Sequence, residues 1–93
     1  MSQKIYVVNS YGNNNGEHYH GTTMAFTSRD HAVSFAKGEV AMYEDNFALD
    51  ERVKHYETMH DDEDHWYIYE VGNDNDNHHK VEIVECILCD RKI

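Results

Sequence analysis

The amino-acid sequence predicts an α+β fold, an antiparallel sheet of about four strands in the order ββααββ with one or two helices packed on one face. Three observations predict it. β-branched and aromatic runs stand near both ends, apolar residues recur at spacings of three and four through the middle, and no proline interrupts either pattern. A chain of 93 residues is expected to form one domain, 1–93, because a chain this short buries only about 60 to 65% of the surface its unfolded form exposes.

Lys4 to Asn9 reads as the first strand, since Ile5, Tyr6, Val7 and Val8 favour a pleated surface. Tyr11 to Gly21, with its glycines and the run Asn13-Asn14-Asn15, reads as a loop, because these residues tolerate positive φ and compete with regular structure. Thr22 to Phe26 follows as a second strand. Thr27-Ser28-Arg29-Asp30 has the form of a helix start, a hydroxyl cap followed by an acidic residue. Ala32, Phe35, Ala36, Val40, Tyr43 and Phe47 then share one helical face. Leu49, Val53, Tyr56 and Met59 continue the spacing with an offset, which favours a second helical segment after a break near Asp45-Asn46. The like charges of Asp61 to Asp64 end it. His65 to Val71 reads as a strand, Gly72 to His79 as a polar connection, and Lys80 to Leu88 as the last strand, closing a C-terminal hairpin. Tyr6, Trp66, Tyr67 and Tyr69 are expected on both sheet faces, so that an aromatic outer face would be the natural surface for a homodimer.

Charge dominates the composition. Eighteen Asp and Glu against eight Lys and Arg give a formal net charge of −10. Nucleic-acid affinity rests on basic side chains that displace counterions, so direct binding to DNA or RNA is disfavoured, and the same holds for anionic membranes. A negative field instead steers association with a positively charged DNA-binding protein. Between positions 39 and 64 stand Glu39, Glu44, Asp45, Asp50, Glu51, Glu57, Asp61, Asp62, Glu63 and Asp64, opposed by Arg52 and Lys54. As helix these residues would extend at most about 39 Å. That is on the order of one charge per 4 Å, against one per roughly 1.7 Å for duplex DNA. These ten are the candidate partner-binding residues. A solvated polar helix face is the plainer explanation, but like charges at this density destabilise a helix without structural return.

The proline-free chain, its Asn-Gly loop and the Ser-Arg-Asp-His-Ala helix start, together with the acidic middle, resemble the small early proteins of T4-like bacteriophages. Some of these are anti-restriction DNA mimics that block a host restriction enzyme. The resemblance covers the whole chain in character and implies an inhibitor acting in the host cytoplasm. It rests on no diagnostic motif and carries over no functional residue.

Other chemistries find less support. His18, His20, His78 and His79 could offer imidazole ligands and Cys86 and Cys89 thiolates, but no spacing matches a closed zinc site, so neither metal nor cofactor is expected. His20-Gly21-Thr22 has the triplet form of two-histidine phosphoesterases without the second triplet that chemistry needs, and there is no phosphate loop or nucleophile elbow. No catalytic residue is assigned. The apolar runs are too short to span a bilayer and the N-terminus lacks the features of a secretory signal, which predicts a cytoplasmic protein. The function expected is therefore that of an acidic DNA-mimic inhibitor bound to the DNA-binding surface of a restriction nuclease or nucleoid protein. A protein-interaction or metal-dependent regulatory module is the alternative.

Overall fold

The computed structural model describes residues 2–73 and 75–89, with backbone only for Ser2, Asp61, Leu88 and Cys89. β1 (Ser2–Asn14) and β2 (Glu17–Phe26) form a hairpin, followed by α1 (Arg29–Leu49), β3 (Tyr56–Asp62), β4 (His65–Glu70) and β5 (Asn77–Cys89). The five strands make one antiparallel sheet in the order β2-β1-β5-β4-β3. The α+β class and the helix-covered antiparallel sheet are as the sequence predicts. The strand count and the chain order, ββαβββ, are not.

Two local readings account for the difference. The segment 11–21 is a continuation of both strands, joined by a two-residue turn in which Asn15 (φ 54°) and Gly16 (φ 86°) both take positive φ. That is the turn that matches the twist of a hairpin, and Asn-Gly is its preferred sequence. The second difference is that residues 50–59 are a turn and a strand rather than a helix. α1 has no basic residue in its last turn, and Asp45, Asp50 and Glu51 oppose the negative end of its dipole. Asp50 then turns the chain, its side chain accepting the Arg52 backbone N–H at 2.9 Å. Beyond it, alternation wins over the three-residue spacing. Tyr56 packs against Phe47 (centroids 5.9 Å) and His60 stacks on Trp66 (4.7 Å), both turned toward α1.

The helix begins at Ser28, whose Oγ accepts the His31 N–H at 3.4 Å. Thr27 is therefore outside the cap, and the acidic side chain of the first turn is Asp30.

α1 lies across one face of the sheet. Val8 of β1, Trp66 and Ile68 of β4, and Val81 and Ile83 of β5 meet Ala32, Ala36, Val40 and Phe47 in a single core. Alternation sends Ile5, Val7, Tyr11, Tyr67, Tyr69, Lys80 and Val84 to the other face, which no helix covers among the described residues. β2 is kinked where its register with β1 shifts between Asn9 and Tyr11. There the Thr22 N–H is accepted by the Ser10 hydroxyl at 2.8 Å, satisfying a donor that the bulge removes from the ladder.

Gly38 sits in the helix interior with open space where a Cβ would stand. Gly38→Ala is expected to raise stability by up to about 1 kcal/mol, a Tm increase of a few degrees by thermal circular dichroism. Gly21→Ala is expected to do the opposite, by roughly 1–3 kcal/mol, because its Cβ would collide with the Ser10 hydroxyl and approach Tyr43 Oη within 3.0 Å. Equal Tm changes for the two variants would contradict this packing.

Candidate functional site: an acidic flank and an uncovered sheet face

The ten acidic residues singled out above are spread over four elements. Glu39, Glu44 and Asp45 are on α1, Asp50 and Glu51 in the following turn, Glu57, Asp61 and Asp62 on β3, and Glu63 and Asp64 in the β3–β4 turn. They make no continuous helical row. Glu39 is buried at 9% exposure beside the core. Asp50 is clasped by Arg52, whose Nε and guanidinium donate at 3.1 Å each, and these hydrogen bonds hold its carboxyl below the usual range. Glu63 and Asp64 share Arg29, at 3.3 and 2.7 Å. The side chain of Asp61 lies outside the described residues.

Of the remainder, Glu44 and Glu57 meet β3 from opposite faces of the sheet. β3 is an edge strand of the sheet, and Glu44 reaches it from α1 to accept the Thr58 hydroxyl at 2.5 Å. Glu57 accepts the Tyr69 hydroxyl at 2.8 Å, while Asp45 and Glu51 are exposed. An edge strand lined with carboxylates also resists pairing with another chain, so part of this acidity has a structural use.

On the uncovered face a belt of polar side chains crosses all five strands. Thr23 Oγ1 donates to Asn9 Oδ1 at 2.9 Å, which leaves His20 Nε2 as the donor to Thr23 at 2.8 Å. Asn9 Nδ2 donates to Glu82 at 3.3 Å. The other Glu82 oxygen lies 3.8 Å from His65 Nε2, and His65 Nδ1 donates to Asp62 at 2.8 Å. The Asp62 hydrogen bond raises the His65 pKa, and the same bond lowers that of Asp62. Beside the belt is an open groove of about 490 Å³ bordered by Tyr11, Met59, Tyr67 and Lys80. Lys80 Nζ stands 5.5 Å from the Tyr67 ring centroid and 6.0 Å from that of Tyr11. The groove brings together an oriented imidazole and an ammonium but no activated nucleophile. The expected division of aromatics holds here, with Trp66 at 7% exposure in the core and Tyr67 and Tyr69 on the other face.

A second buried polar site was not legible in the sequence. His79 is fully buried between two tyrosines, stacked on Tyr43 at a centroid distance of 3.4 Å and on Tyr19 at 5.5 Å. The Tyr19 hydroxyl pairs with its Nδ1 at 2.7 Å, and its Nε2 has no hydrogen-bond partner in the protein. Burial, and then the neighbouring His78, press its pKa down to about 4. Burial also pushes Tyr19 up to about 12 and raises Tyr43, the latter with help from the Glu39 carboxylate. The signal that could have marked His79 is its place in the alternation of β5, two residues before Val81 and four before Ile83, both core residues.

Among the described residues no three of His, Cys, Asp and Glu gather where they could hold a metal ion. Cys86 is a free thiol on the uncovered face, and the side chain of Cys89 lies outside the described residues. No described helix is long and apolar enough to cross a membrane. Comparison with protein-family models, curated proteins and solved structures gives no match for this chain.

His79 sets an acid limit on the fold. Its folded-state pKa of about 4 lies below the ordinary value of 6.5, so between these pH values the unfolded chain binds the proton and the folded one does not. Stability is complete above pH 6.5 and falls as pH drops through this window, by roughly 3 kcal/mol in all. Denaturant titrations at several pH values from 7 to 4 check it. In His79→Phe the pH dependence across this window is expected to be shallower than in the parent protein, and an unchanged slope would assign the acid loss to other groups.

Proposed function

We propose that this protein binds the DNA-contacting surface of a basic protein, a restriction nuclease or nucleoid protein being the target class, and presents carboxylates there in place of phosphates. The observation that carries this reading is the acidity of β3, of the end of α1 and of the turn between them, where Glu44, Asp45, Glu51 and Glu57 have no arginine or lysine partner among the described contacts and Glu57 lies 3.5 Å from the His55 imidazole, on an elongated body of 51 × 26 × 19 Å. β3 spans about 23 Å, so this region is sparser in charge than a duplex. Affinity would come from the summed field and its effect on association rate rather than from phosphate-by-phosphate matching. Resemblance to acidic phage anti-restriction proteins agrees with this reading and adds no residue to it. A protein-interaction module without mimicry is the second reading, favoured by Glu82 and Asp62 lying beside an aromatic groove rather than in a double row.

The test is binding and competition. The protein is expected to show no gel shift with duplex DNA at neutral pH, given its net charge of −10. The combined variant Glu44→Gln, Asp45→Asn, Glu51→Gln, Glu57→Gln keeps the hydrogen bonds from Thr58 and Tyr69 while removing four charges. It is expected to retain its fold, to bind a DNA-binding target at least about tenfold more weakly at low salt, and to lose most of the salt dependence, while single changes do little. Duplex DNA should displace the protein from the target. A ternary complex, or a four-fold variant with unchanged affinity and salt slope, removes the mimic reading and leaves the second one.

A further inference from the structure

When one face of an antiparallel sheet meets water, the outward positions of its strands are normally polar. Here one end of the outward face is apolar. Val7 lies opposite Ala25 on one side and Val84 on the other, and Ile5 opposite Cys86. Val84 is 42% exposed, and across the polar belt Tyr11 is 37% exposed on the same face. α1 packs on the opposite side, against the core residues of the same strands.

We infer that a second copy of this chain covers this face, two sheets packing face to face across a twofold axis. Two arguments select that occupant. The first is area. Strands β2, β1, β5 and β4 give the face a flat footprint on the order of 700 Å²; a stable standard-size interface takes about 800 Å² from each partner, with a wide spread. The second is charge. A chain with a net charge of −10 is repelled by its own copy wherever carboxylates dominate the contact. On this face Glu82, Asp62 and, at its border, Glu57, which accepts the Tyr69 hydroxyl, are accompanied by His65 and Lys80. A surface carrying both signs can be complementary to itself, as a twofold interface requires. β3 is the edge strand, so its carboxylates stand at the rim of the contact, while the acidic residues of α1 lie on the opposite side of the sheet. The inference is independent of the target proposed above, and it holds or fails by association of the purified protein alone.

Sedimentation velocity over a rising concentration series tests it. The wild-type chain is expected to form a dimer with a dissociation constant in the micromolar range or tighter. Val84→Asp places a carboxylate in the apolar end and is expected to weaken dimerisation at least about tenfold. Lys80→Glu removes the exposed ammonium of the groove without touching the apolar end. It is expected to weaken dimerisation several-fold at low salt, with recovery as salt is raised. Lys37→Glu, on the exposed side of α1, is the charge-matched control and should behave as wild type. Circular dichroism confirms the fold of each variant. A wild-type chain that stays monomeric into the high micromolar range overturns the inference. So does a dimer that Lys80→Glu and Val84→Asp leave as stable as the control, which would place the contact on a sheet edge or on α1.

Discussion

The pairing of β1 with β5 joins the two ends of the chain, and every other element takes its place from it. The ladder runs from Ser2 opposite Cys89 to Asn14 opposite Asn77, the longest in the sheet. β5 is thereby central, with the β1–β2 hairpin on one side and the β3–β4 hairpin on the other. α1 can then lie over the middle and touch all five strands. Because this pairing closes nearly the whole chain into a loop, its entropy cost comes before most of the core is buried. The two local hairpins and α1 can form before the ends meet, but Val81 and Ile83 reach the core only once β5 is inserted.

The same strand carries the least ordinary feature of the interior. His79 occupies a fully buried position, and its neighbours are arranged to tolerate it. Two tyrosine rings sandwich it, one hydroxyl satisfies one nitrogen, and Gly21 leaves room for the Ser10 and Tyr43 hydroxyls. A neutral imidazole suits this setting, and a charged one has no counter-ion in it. Of the eight histidines, this one does not respond to pH near neutrality. His65, held by Asp62 on the uncovered face, keeps its proton to higher pH than usual.

Acidity and fold are linked through the sheet edges. A sheet of five strands has two exposed ladders, and each invites another chain. β3 meets this with Glu57 and Asp62 and with the flanking Glu44, β2 with its register shift and with His18 and His20. A strong negative field along one edge discourages strand addition there and at the same time supplies the surface proposed to meet a basic partner. The bare sheet face is chemically different, with an apolar end, a polar belt and a groove holding Lys80, so the molecule has two surfaces suited to two kinds of contact.

The sequence by itself determined the class of fold, the first helix, the core strands around Val8, Ile68 and Ile83, the two-sided placement of the aromatics and the acidity of the middle segment. Each of these follows from local periodicity or from counting charges. Only the tertiary structure decided that residues 56–62 are a strand. Tyr56 and Met59 fit a helical spacing, and the choice of strand rests on the pairing of β3 with β4 in a sheet that β5 completes, which sets Tyr56 against Phe47 and His60 against Trp66. It also decided that segment 11–21 is paired backbone, since Asn-rich sequence tolerates a loop but Asn15-Gly16 closes a hairpin once Tyr11 and Tyr19 have partners. The candidate surfaces were legible to the same degree. A carboxylate can be counted from sequence, but whether it is free, as at Asp45, buried, as at Glu39, or clasped by an arginine, as at Asp64, depends on which distant side chain the sheet brings beside it.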